Sequence, residues 1–180
     1  MIILGLDPGL ASCGWAVIRR ESDGGLACLN AGVIRTKKEA GNKYQDDLRR
    51  IRHLSAKLRW VRDMYGMDFV ASESMSWPRH TRAIQSMGFC WGVIGSLFDH
   101  ECVIQRRPQQ IKVDLVGKKT ATKKEVDEAA CSVIEELSIY LSDLPKTQRD
   151  HAADAAAAVI SAWQDPVVKL AWKFSGNKEM

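Results

Sequence analysis

The chain has 180 residues, 46% of them hydrophobic and 27% charged, with a net charge of +4. That length supports one domain with a core of its own, and the apolar content excludes low-complexity disorder. No apolar run approaches the ~20 residues of a membrane span, and the opening MIILGLDPG lacks the basic flank of a secretory signal.

Residues 1–7 read as a buried strand closed by the turn Asp7-Pro8-Gly9. Residues 14–19 form a second strand and, after the turn Asp23-Gly24-Gly25, residues 26–36 a third, giving an antiparallel meander. Residues 37–43 are a polar connector. Asp46 and Asp47 open a helix whose apolar positions are Leu48, Ile51, Leu54, Leu58 and Val61. Residues 68–72 form a strand that delivers Glu73. Residues 78–98 form a helix with Ile84, Met87, Trp91, Ile94 and Phe98 on one stripe. Residues 102–105 are a fifth strand. Thr122 and Glu125 make a capping box for a helix using Val126, Val133, Ile134 and Leu137. Thr147 caps an alanine-rich helix reaching about residue 163. This order predicts an α/β fold, a mixed sheet with helices on its faces.

Five cysteines (Cys13, Cys28, Cys90, Cys102, Cys131) without a CxxC pair predict reduced thiols in a cytoplasmic protein rather than a zinc site. Positive charge gathers in two segments: 43–62 holds seven Lys or Arg against two Asp, and 105–124 holds seven against one. The first reads equally as a solvated helix face. The second, punctuated by Pro108 and Gly117 and so partly loop, reads as a polyanion-binding face.

Four acidic or imidazole groups could converge. Asp7 ends the first strand and Glu73 the fourth, while His151 and Asp154 lie three apart on the last helix and share a face. Asp150 reads as a first-turn acid complementing the helix dipole. Carboxylates packed together repel unless a cation lies between them, and oxygen-rich sets favour Mg²⁺ or Mn²⁺. Two such ions about 3.5–4 Å apart can activate water against a phosphodiester.

These segments resemble the RuvC family of Holliday-junction resolvases. The resemblance rests on LGLDPG at 4–9, FVASE at 69–73, IKVDLVGKKTATKKEV at 111–126 and DHAADAAAAV at 150–159. It implies a ribonuclease-H-like fold with a five-stranded mixed sheet, a nuclease domain over 1–164 and a C-terminal tail over 165–180. It also implies a homodimeric endonuclease that resolves four-way DNA junctions, in a bacterial or virus-infected bacterial cell, with a branch-migration helicase as candidate partner. Asp7, Glu73, His151 and Asp154 become the catalytic, metal-binding set for two Mg²⁺ ions, with Mn²⁺ able to substitute. Asp7 would bridge the ions, Glu73 and Asp154 would each hold one, and His151 would ligate an ion or orient water. Arg106, Arg107, Lys112, Lys118, Lys119, Lys123 and Lys124 become the DNA-binding set. Many members carry an aromatic three residues after the catalytic Glu. Here that position is Ser76, and the adjacent Trp77 is expected to stack on an unpaired base.

Three other readings share parts of this pattern. An RNA-processing nuclease of the YqgF (RuvX) type opens similarly, but the HAAD helix and the basic stretch disfavour it. An actin-like ATPase or sugar kinase needs a second domain. A non-catalytic junction-binding module needs lysines, not clustered acids. Gly88, Gly92 and Ser96, spaced by four beside Gly95, serve either a dimer contact or packing on the chain's own sheet, since each interior Gly costs about 1 kcal/mol in a helix.

Overall fold

The structure, a computed structural model, describes residues 1–74 and 81–175. Ser76 and Trp77 lie outside them. The elements are β1 (Ile2–Asp7), β2 (Ser12–Arg20), β3 (Leu26–Arg35), α1 (Lys43–Tyr65), β4 (Phe69–Glu73), α2 (Thr81–Leu97), β5 (Cys102–Arg106), α3 (Pro108–Val116), α4 (Lys123–Val133), α5 (Leu137–Ser142), α6 (Lys146–Ala162) and α7 (Pro166–Phe174). They form the expected mixed sheet, of order β3-β2-β1-β4-β5. The meander β1–β2–β3 is antiparallel, and β4 and β5 join parallel to β1.

Side-chain alternation along the strands sends successive residues to opposite faces. Leu4, Leu6, Val17 and Val70 face α1 and α2, packing on Leu54, Leu58, Cys90 and Ile94. Ile3, Ala16, Ile18, Phe69, Ala71 and Ile104 face α6, whose alanines lie flat against them. The approach is close: a Cβ on Gly5 would overlap the Ala155 carbonyl, and one on Gly14 the His151 carbonyl. Alanines on the helix and glycines on the strands together let α6 sit directly on β1 and β2.

Several boundaries move. The helix expected to run through Val133, Ile134 and Leu137 breaks at Ile134, which adopts an extended conformation. The break keeps Ile134 and Leu137 fully buried and leaves Val133 48% exposed. α6 starts at Lys146 after Pro145, ahead of Thr147. The basic stretch is more helical than expected: Pro108 starts α3, and Gly117, at a left-handed φ of 82°, ends it. In the first helix Leu48 is exposed, as is Ile84 in the second. Residues 166–174 form α7, which buries Val168 in the α6-side core and Trp172 against Trp163. Arg20 lies over both Trp163 and Trp172, at 5.0 and 5.1 Å from the ring centroids.

Candidate active site

The parallel register pairs Leu6 with Ser72, so Asp7 and Glu73, one residue further on, stand side by side. Asp7 shares the face of Ile3 and Gly5, and Glu73 that of Phe69 and Ala71, so both side chains rise on the α6 side. The first turns of α6 cross this end of the sheet and bring His151 and Asp154 to it. All four expected residues therefore meet at one point.

His151 Nδ1 donates to Asp7 Oδ2 at 2.6 Å. That hydrogen bond outweighs partial burial and raises the imidazole pKa above its usual value. Asp154 accepts from Lys123 Nζ at 2.9 Å, and Lys123 also lies 3.6 Å from Asp150. Burial raises the Asp154 carboxyl despite that lysine. Glu73 is pushed up to about 7, first by burial, then by the negative charges of Asp7 and Asp154. A cleft of about 250 Å³ is lined by Glu73, Asp154, Lys112 and Lys123 over an apolar floor of Ile111, Val126 and Ala157.

The donor chemistry fits a hard divalent cation: three carboxylates converge, and Glu73 is raised first by burial and then by the negative charges of Asp7 and Asp154. Among the described residues, however, no three His, Cys, Asp or Glu side chains already enclose an ion. Asp7 is engaged by His151, and Asp154 by Lys123. Ion binding therefore requires these side chains to exchange partners.

The basic candidates separate. Lys112 and Lys123 line the cleft. Arg107, Lys119 and Lys124 are exposed. Lys118 is paired with Glu125 of the capping box. Arg106 is a correction: it is 6% exposed and belongs to the interior. Its Nη2 binds Asp114 at 2.7 Å, its Nε donates to Ser161 at 2.9 Å, and Asp165 lies 3.6 Å away. A buried guanidinium must be paired in this way, and once paired it is not available to phosphate. Asp150 is more than a dipole complement, because it flanks Lys123. Asp127 went unrecognised in the sequence, although it lies four residues after Lys123 on α4. Burial and the charge of Asp154 push its carboxyl up to about 6.

With this geometry in place, a family model described as crossover junction endodeoxyribonuclease RuvC matches residues 3–162. The chain belongs to the RuvC family. It is by that membership a crossover junction endodeoxyribonuclease, and the family is metal-dependent. RuvC of Treponema pallidum (strain Nichols) is 31% identical over 163 residues, spanning 89% of this chain and 76% of its own. RuvC of Synechococcus sp. (strain CC9605) is 33% identical over 164 residues, 91% of this chain and 98% of its own. The solved structure of Thermus thermophilus RuvC shares the fold at a TM-score of 0.73, with 22% identity over 98% of each chain. A second T. thermophilus structure, in complex with a Holliday junction substrate, superposes with a TM-score of 0.73 and 22% identity, over 89% of this chain and 92% of that one.

Proposed function

We propose that this RuvC-family protein resolves four-way DNA junctions by paired hydrolysis of phosphodiesters, with Asp7, Glu73, His151 and Asp154 as the catalytic set. The observation that carries this is the meeting of those four residues at the end of β1 and β4, with Glu73 and Asp154 lining one cleft with Lys112 and Lys123 and with His151 bonded to Asp7 beside it. Asp7, Glu73 and Asp154, with His151, would hold Mg²⁺ or Mn²⁺. Such ions, when bound, supply Lewis acidity that activates water and stabilises the leaving oxygen. His151 orients one Asp7 oxygen. Glu73 must lose its proton to serve as a ligand. Lys112 and Lys123 bring positive charge to the scissile phosphate. In-line attack by water leaves 5′-phosphate and 3′-hydroxyl ends.

The same reading makes the protein a two-fold dimer, because symmetric resolution takes two cuts and each chain has one such site. Among the described residues a Cβ added at Gly88, Gly92 or Gly95 would meet nothing within 4 Å, so these glycines are not needed for packing on the chain's own sheet. Gly88 and Gly92, with Ser96, border an open groove of about 500 Å³ between α1 and α2, suited to close approach of a second backbone. The setting we infer is the cytoplasm, where the five free thiols stay reduced. A branch-migration helicase remains the candidate partner there.

The test is cleavage of a synthetic four-way junction. Symmetric paired nicks with Mg²⁺ or Mn²⁺, and none in EDTA, are expected. An intact junction under all conditions, or cutting of RNA alone, would overturn the reading.

A further inference from the structure

A second cleft, of about 750 Å³, opens at the same end of β1, beside α1 and α2. Glu73 and Asp154 line the first cleft, and His151, bonded to Asp7, lines the second. The catalytic set thus stands between the two. The second cleft is bounded by the β1–β2 turn and by Lys38, Arg50, Arg82 and Ser86, and among the described residues no carboxylate lines it.

Arg50 is the unusual member, with a side chain only 5% exposed. Its Nε donates to Thr36 Oγ1 at 2.8 Å, and the Thr36 hydroxyl donates in turn to the Leu10 carbonyl. Its nearest carboxylate, Asp47, is 3.9 Å away and is already bound by Lys43 at 2.9 Å. The remaining N–H groups of Arg50 make no hydrogen bond among the described residues. A buried guanidinium so loosely matched is costly unless an anion completes it, and its planar fork suits phosphate oxygens. The walls are firm. Arg49 grips the connector before α1 through the Lys37 carbonyl at 2.6 Å and Glu39 at 3.1 Å. Lys43 reaches Gln85 at 3.2 Å and ties α1 to α2.

We propose that this second cleft is a phosphate subsite for the strand being cut, holding a backbone phosphodiester on the side of the scissile bond away from Lys112 and Lys123. The inference rests on the junction-nuclease reading. A strand laid across Asp7 would then have cations on both flanks of the reacting phosphate, which fixes its register over the carboxylates.

The double variant Lys38→Gln/Arg82→Gln tests this while leaving the buried Arg50 in place. Junction binding in metal-free buffer should weaken about tenfold, and the slope of log K against log salt should fall by about 1, as expected when one phosphate contact is lost. Single neutral methylphosphonates are then placed at each linkage within a few nucleotides of the scissile bond. At one linkage, on one side only, the neutral group should weaken binding by the wild type but not further weaken the double variant. Unchanged slope and affinity in the variant would overturn the subsite. So would a reduced slope with no linkage losing its effect, since that is distant attraction rather than contact. Wild-type cutting of the junction reports separately on the functional reading: if the wild type cuts and the variant binds normally, only the subsite falls, and if the wild type neither binds nor cuts junctions, both fall.

Discussion

The Asp7 carboxylate is held by the imidazole of His151, whereas Asp154 is held by the ammonium of Lys123. Removing the charge at Asp7 therefore leaves the basic side chains of the cleft where they are. Asp7→Asn is expected to slow cleavage on the order of 10³-fold or more, with junction affinity retained or slightly improved as acid–phosphate repulsion falls. Gel-shift and single-turnover cleavage on one preparation would check this, and a near wild-type rate would remove Asp7 from the catalytic set. Glu73 makes a prediction about pH. Its folded carboxyl sits at about 7 against an ordinary 4.5, so the folded state keeps a proton that the unfolded chain gives up. The sign follows: the metal-free protein loses stability as pH rises through that window. Glu73 is partly solvated, so the loss is on the order of 1–2 kcal/mol. The raised Asp154 acts in the same direction. Urea midpoints should fall from about pH 5 to pH 8 in EDTA, and Glu73→Gln should flatten the decline.

α6 is the element that assembles the site, and it does so because nothing but hydrogen stands on Gly14 beneath the His151 carbonyl. Gly14→Ala is expected to push the first turn of α6 away from β2 and lengthen the His151–Asp7 bond. NMR titration should then find the His151 pKa lowered toward its ordinary value, together with loss of cleavage in a folded protein. An unmoved His151 would show that the strand, not the helix, gives way. α7 acts on stability instead. Trp172 is 2% exposed, meets Trp163 edge-on at 6.1 Å and lies under Arg20. Trp172→Ala should cost about 3–5 kcal/mol, read as a lowered denaturation midpoint. A loss below about 1 kcal/mol would mean that α7 docks without being needed.

At the scale of the whole molecule, the sheet separates two groups of helices. α3, α4 and α6 build the cleft lined by Glu73 and Asp154, while α1 and α2 leave a glycine-bordered groove open. A leucine at Gly92 has space within one chain but would block a second chain lying there. Gly92→Leu should therefore sediment as a folded monomer that nicks junctions without paired resolution. A fully active dimer would place the subunit contact elsewhere.

Much of this was legible in order along the chain. Strands announce themselves by short apolar runs, and the capping box at Thr122 and Glu125 is local chemistry that the structure reproduces. Asp7 and Glu73 were legible because each ends a strand, and His151 and Asp154 because a spacing of three places them on one face of a helix. Burial was not legible. Arg106 looked like its neighbour Arg107, yet only the packing of β5 against α3 and α6 surrounds it with Asp114 and Ser161. The second cleft was invisible for the same reason. Lys38, Arg50 and Arg82 come from three separate segments, and nothing local distinguishes Arg50, buried in the cleft wall, from Arg49, spent on Asp46 and Glu39. Local sequence determined which elements form and which residues stand at their ends, because hydrogen bonding and side-chain alternation act over a few residues. Which charges are buried, paired or left facing a cleft was decided only by tertiary structure, because desolvation and Coulomb energy depend on neighbours that the chain brings from far away.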